Sequence, residues 1–192
     1  SSSSAASDVY KRQVYGLAGN AYSKKAIEKI YRLKKRPKIN PLIVHYFNYQ
    51  NAEKDVILNK NFFKLYKKLC PGAVTFILKK KKDSKVHPFV SANSNTIAVR
   101  FPSHKITRSL LKKITFPLAM PSANISSNVS PVCASDVADE FKTKLKFILD
   151  GGKSKIGIES TVVKLIGKPL ILRPGIIAVS YTHLTLPTKR IV

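Results

Sequence analysis

Apolar and polar positions divide the chain into short helices and strands that alternate. Residues 14–20 read as a loop leaving a strand, and Ser23 then caps a helix with Ala26, Ile27, Ile30 and Leu33 at helical spacing. Lys34, Lys35 and Arg36 give that helix a cationic end, Pro37 stops it, and Asn40-Pro41 turns the chain. Residues 42–47 are almost continuously apolar, as expected of a strand covered on both faces. Residues 51–69 predict one or two helices, with Phe62, Phe63, Leu65, Tyr66 and Leu69 turned to a core. Pro71-Gly72 breaks the chain before a strand at 74–78, and a basic run at 79–82 follows. Strands are predicted at 96–101, 118–120 and 147–149, the last closed by Asp150-Gly151-Gly152, with helices at 106–114 and 135–141 between them. The strand pair 161–166 and 170–173 is joined by Gly167-Lys168-Pro169. Such alternation predicts a single mixed α/β sheet domain without internal repeats.

Both ends break this pattern. Residues 1–13 and 180–192 look like translated sequencing-adapter read-through, and they are read as non-native or disordered, leaving 14–179 as the domain. With 192 residues and 44% hydrophobic content the chain can bury one sizeable core. Lys and Arg number 35 against 10 Asp and Glu, and the formal charge of +25 predicts attraction to phosphate-bearing partners, unless the lysines are simply a solvated surface produced by coding bias. Cys70 and Cys133 stand apart from each other and from any Cys/His cluster, which argues against a disulfide framework or a zinc site and fits a reducing cytoplasm. No apolar run approaches the length of a bilayer span, so no membrane association is expected.

Cations and small polar side chains collect at predicted strand ends: Lys34 and Arg36, Ser122 and Asn124, Ser130, and Arg173 before Pro174-Gly175. These are the parts of a phosphate site. Neither a P-loop nor a Gly-x-Gly-x-x-Gly dinucleotide motif is present, and Ser122 lacks both a nucleophile elbow and a His partner. The structural alternatives are plain: cations complementing a helix end, a glycine pair in a turn, and His45 as a strand histidine with a satisfied hydrogen bond.

Ten short motifs raise the functional reading. Tyr15-Gly16-Leu17, Lys34-x-Arg36-Pro37, Asn40-Pro41-Leu42-Ile43-Val44-His45, Pro71-Gly72, Ala98-Val99-Arg100, Pro121-Ser122-Ala123-Asn124, Ser130-Pro131, Asp150-Gly151-Gly152, Gly157-Ile158-Glu159-Ser160-Thr161-Val162 and Arg173-Pro174-Gly175 occur in that order. Together they resemble the YrdC-like domain of threonylcarbamoyl-AMP synthases across residues 14–179. The resemblance implies a twisted mixed sheet flanked by helices. It also implies an enzyme that joins L-threonine, bicarbonate and ATP into threonylcarbamoyl-adenylate and pyrophosphate, toward threonylcarbamoyladenosine at position 37 of tRNAs. By the same resemblance Lys34 and Arg36 hold the triphosphate with Mg²⁺, and Asn40, Thr96, Ser122, Asn124, Ser130 and Arg173 complete the nucleotide site. Arg100 pairs with the threonine carboxylate, His45 and Ser160 contact the amino acid, and the Met120 backbone lines its pocket.

That chemistry brings two anions together and needs positioning and charge neutralisation rather than a covalent nucleophile. Its product is a mixed anhydride that water destroys, so residues 151–155 are candidate covers. The resemblance further implies tRNA or double-stranded RNA and the downstream threonylcarbamoyl-transferase complex as partners, and the longer family branch implies an added C-terminal domain. A departure lies at Tyr10-Lys11-Arg12-Gln13, where the family has Pro-Thr-Glu-Thr, so a strand and a threonine-contacting hydroxyl are expected to be lost. The rival readings are a nucleic-acid-binding module without catalysis and an inactive fragment.

Overall fold

The structure, a computed structural model, describes residues 14–126, 128–154, 159–175 and 177. The expectations for the two ends, for the Tyr10–Gln13 departure and for Gly157-Ile158 fall outside these residues. Seven strands form one mixed sheet: β1 (Gly19–Asn20), β2 (Ile43–His45), β3 (Val74–Lys79), β4 (Thr96–Arg100), β5 (Leu118–Ala119), β6 (Thr161–Lys164) and β7 (Leu170–Arg173), in the order β1-β5-β2-β4-β3-β6-β7. β2 with β4 and β3 with β6 are parallel, and the other neighbours are antiparallel. The helices are α1 (Lys24–Lys34), α2 (Tyr49–Ala52), α3 (Lys60–Leu69), α4 (Lys105–Lys113) and α5 (Ala134–Phe141).

Strand alternation divides the sheet into two chemistries. Val44, Phe76, Leu78, Ile97, Val99 and Val163 point to one face and are buried. Helix α3 packs there: the Phe62 ring lies 5.3 Å from Phe76 and 6.0 Å from Phe101, and Tyr66 meets Phe101 edge-on at 4.9 Å. The opposite face carries the intervening residues, and these include His45, Thr75, Arg100 and, across β6, Arg173.

Local chemistry sets the helix boundaries. Ser23 Oγ accepts from Ala26 N at 3.3 Å to start α1. Lys35, not Pro37, ends it: Lys35 takes the left-handed conformation at φ 49°, and the N–H groups of Lys35 and Arg36 turn back to Arg32 and Tyr31. Residues 51–69 are interrupted after Ala52, because Asp55 is drawn into a buried network before Asn59 caps α3. Gly19–Asn20, expected to be loop, pairs with β5.

Residues 147–149 correct the sequence reading. They form no strand, and Phe147 and Leu149 are 86% and 58% exposed. Three apolar residues sufficed for the pattern, but the chain there is held through Asp150 and Gly152, which bond to Tyr15 rather than to a neighbouring strand.

Candidate active site

Two of the polar motifs meet where α1 ends. Lys34 is 1% exposed, and its Nζ donates to the Ser122 carbonyl at 2.6 Å, to the Asn124 carbonyl, and to Asn124 Oδ1 at 3.4 Å. Burial, and then the nearby Arg36 guanidinium, pull this ammonium down to about 8, with Glu140 and Glu159 opposing. The Pro121–Asn124 loop is fixed from both sides. Leu17 N bonds Pro121 O at 2.9 Å and Ala123 N bonds Tyr15 O at 2.7 Å, so Tyr15-Gly16-Leu17 lies along the loop as a short ladder. Gly16 permits that approach, since a Cβ there would come 2.6 Å from Met120 Cγ. On the other side Glu140 of α5 accepts from Ile125 N at 2.8 Å and from Asn128 Nδ2 at 2.9 Å.

A second cluster spans the opposite, polar face of the sheet in a single row. His45 pairs with Arg100, Arg100 with Thr75, Thr75 with Val162, and Val162 with Arg173. His45 is 4% exposed, and burial followed by the Arg100 charge pushes it down to about 3, so the ring is neutral at pH 7. The Arg100 guanidinium is lowered to about 10 by burial and then by Arg173, and it remains charged. Its Nε is sealed from solvent with no hydrogen-bond partner among the described residues. Arg173 is anchored instead, with Nη2 donating to Ser160 O at 2.9 Å, Nε to the same oxygen at 3.3 Å, and Nη1 paired with Glu159. Close crossing of the chain requires Gly175, where a Cβ would lie 2.5 Å from Glu159 O and Thr161 N.

The structure therefore gathers Lys34, Ser122 and Asn124 in one cluster and His45, Arg100, Ser160 and Arg173 in another. Met120 N bonds Ile43 O at 2.9 Å, which places Met120 along β2 one residue from the loop. Arg36 forms its own corner, donating to the carbonyls of Asn40 at 3.2 Å and Pro41 at 3.0 Å, and the Asn40 side chain is exposed. Ser130 precedes Pro131, whose carbonyl accepts from Tyr15 N at 3.3 Å. Thr96 stands apart at the far end of β4, about 13 Å along the strand from Arg100, and its hydroxyl lies 2.9 Å from Ser94 Oγ.

Sequence reasoning missed three contributors. Thr75 is fully buried with its hydroxyl 2.7 Å from Ser160 Oγ, and its signal was a lone hydroxyl in an otherwise apolar strand. Glu159 lay in a quoted motif without a role, yet its field reaches both Lys34 and Arg100. Tyr15 likewise had no assigned role. Its hydroxyl sits 2.7 Å from Asp150 Oδ1 and 3.0 Å from Gly152 O, and accepts from Gly151 N at 3.0 Å, so it pins the Asp150–Gly152 loop. Two cationic clusters sharing one nearby carboxylate can hold more than one anion against the same sheet.

Known proteins resemble this chain over most of its length. The Sua5/YciO/YrdC family model, described as "Telomere recombination", matches residues 12–175. The threonylcarbamoyl-AMP synthase of Pyrococcus abyssi is 40% identical over 168 residues, covering 84% of this chain and 48% of its own length. That of Bacillus subtilis is 41% identical over 165 residues, covering 84% and 47%. The crystal structure of P. abyssi Sua5 complexed with L-threonine superposes with a TM-score of 0.81 at 36% identity, covering 89% of this chain and 53% of that one. This chain spans about half the length of these relatives. With the family model matching nearly the whole described domain and relatives at 40% identity over most of the chain, the chain belongs to the Sua5/YciO/YrdC family.

Proposed function

We propose that this domain forms L-threonylcarbamoyl-adenylate from L-threonine, bicarbonate and ATP, releasing pyrophosphate. The observation that carries the reading is Arg100: a charged guanidinium on the polar face of the sheet, with an Nε that has no partner among the described residues and a neutral His45 beside it. A fold that buries a cation without completing its hydrogen bonds suits a ligand carboxylate. The relatives named threonylcarbamoyl-AMP synthase, and the relative solved with L-threonine, support the same assignment.

In this reading the threonine amine and bicarbonate yield N-carboxy-threonine and water. One oxygen of the new carboxylate then attacks the α-phosphorus, and pyrophosphate leaves with the electron pair of the broken P–O bond. Arg100, His45 and Ser160 hold the amino acid. Arg36 and Ser122 receive the phosphates over a loop that buried Lys34 and Asn124 shape and charge from beneath, with Asn40, Ser130 and Arg173 in supporting positions and Thr96 set apart at the far end of β4. Holding both anions in line is the main contribution, worth up to roughly 7–11 kcal/mol of the barrier when alignment is complete. Mg²⁺ supplies further charge neutralisation when bound. The donor set suits an ion that arrives on the nucleotide: no three His, Cys, Asp or Glu side chains gather among the described residues, and Mg²⁺ ordinarily keeps phosphate oxygens and water as ligands.

Pyrophosphate release with ATP, Mg²⁺ and bicarbonate tests the reaction. Release should depend on L-threonine and fall at least a hundredfold in Lys34→Ala and Arg100→Ala; release indifferent to threonine would reject the assignment. Replacing Tyr10-Lys11-Arg12-Gln13 with Pro-Thr-Glu-Thr should tighten threonine binding in a calorimetric titration, and an unchanged affinity would show that this segment is tolerated. The charge of +25 favours a second reading as a tRNA or double-stranded RNA binder. Its signature is affinity that drops steeply with salt and survives Arg100→Ala.

A further inference from the structure

We infer that Thr75 is a positioning residue, whose hydroxyl holds Ser160 and through it sets Arg173 beside Arg100; this rests on the proposed synthase reading. β3 reads Val74-Thr75-Phe76-Ile77-Leu78, and Thr75 is its one hydroxyl among four apolar neighbours. It stands at the register position shared by Arg100 on β4 and Val162 on β6. Thr75 and Ser160 are 0% and 2% exposed, and their hydroxyl oxygens lie 2.7 Å apart. Ser160 is also the residue on which Arg173 is mounted, by its carbonyl at 2.9 and 3.3 Å and by its Oγ at 3.4 Å from Nη2.

Thr75 thus sits between the two guanidiniums in the row across the sheet. Without its hydroxyl, Ser160 Oγ keeps only the long contact to Arg173, and the serine is free to choose another rotamer. The bland account is that two buried hydroxyls merely satisfy each other. That account predicts that a valine of the same shape costs stability alone, and leaves Arg173 where it is.

Thr75→Val and Thr75→Ser separate the two. Thr75→Val should raise the dissociation constants of L-threonine and of ATP about tenfold each, because Ser160 is assigned to the amino acid and Arg173, mounted on it, to the nucleotide. Thr75→Ser should return both to within about twofold of the parent. Hydrogen exchange at Arg173 Nε–H, assigned through Arg173→Lys, is a readout that needs no ligand and should speed up severalfold in Thr75→Val alone. Unchanged Arg173 exchange, or a serine variant as impaired as the valine, overturns the positioning role. Absence of L-threonine binding by the parent chain would reject the synthase reading while the exchange measurement still decides this one. If Thr75→Val does not fold, Ser160→Ala takes its place in the exchange measurement, where an unchanged Arg173 signal is again decisive against it.

Discussion

Asp55 is buried and Arg100 half-buried, and the fold treats these two charged groups in opposite ways. Asp55 is 1% exposed and fully supplied: Tyr22 and Tyr46 hydroxyls donate to Oδ2 at 2.8 and 2.9 Å, and Ser84 Oγ and Lys85 N donate to Oδ1 at 2.8 and 3.1 Å. Arg100 has a sealed Nε without a partner among the described residues, a second guanidinium nearby, and a carboxylate, Glu159, that is already committed to Arg173. Saturation by the chain's own donors marks a charge that holds the fold together; a charge left short has bonds to offer a ligand. Lys34 lies between the extremes, since its three acceptors all come from the Ser122–Asn124 loop and tie the loop's shape to the ammonium.

The largest effect expected from this contrast is at Asp55. Asp55→Ala strands four donors, that of Tyr46 buried and those of Tyr22, Ser84 and Lys85 part-buried, at a cost on the order of 4 kcal/mol, or ~10 °C in the thermal midpoint for a domain of this size. Threonine affinity below the midpoint should stay within about twofold of the parent. A variant that melts normally but binds poorly would reverse the roles assigned to the two sites.

Arg100→Met should do the opposite. Replacing an incompletely paired buried charge with an apolar side chain of similar length is neutral or stabilising by roughly 1–4 kcal/mol, so the midpoint should hold or rise. Threonine affinity should fall about a hundredfold, equivalent to ~2.8 kcal/mol at about 1.4 kcal/mol per factor of ten. A midpoint drop as large as that of Asp55→Ala would make Arg100 a structural charge, and would remove the main support for the carboxylate site.

The same contrast explains what the sequence could disclose. Elements with strong periodicity were legible: Ile27 and Ile30 on α1, and Val74 to Leu78 in β3, lie where their spacing put them. The clustering of Lys34 with the Ser122–Asn124 loop followed from family motifs and not from spacing, because those residues are 88 and 90 positions apart. Asp55 gave no signal, since its donors at Tyr22, Tyr46, Ser84 and Lys85 are assembled only by the fold. The reading of 147–149 failed because three apolar residues suggest a strand regardless of whether a partner edge exists, and two of them are exposed.

The smallest effect sharpens the contrast through pH. His45 is held down to about 3 by burial and then by Arg100, whereas in the unfolded chain it titrates near its ordinary value of 6.5. Between those values the unfolded chain takes up a proton that the folded one refuses, so this group removes stability as the pH falls below 6.5. From pH 7 to pH 5 the loss comes to about 2 kcal/mol. Burial also lowers His87, which acts in the same direction, while the lowered carboxylates Asp136, Glu140 and Asp150 begin to matter only near pH 4. The His45 share is therefore the difference between parent and His45→Asn in denaturant midpoints measured from pH 7 to pH 5. The variant should show a slope shallower by about 1 kcal/mol per pH unit. In Arg100→Met the folded imidazole loses a repelling neighbour and its pKa rises, so the acid loss should begin at the same pH but end sooner. Equal slopes in parent and His45→Asn would mean that the ring accepts a proton in the folded state, and that the Arg100 end of the row admits water that the Asp55 network excludes.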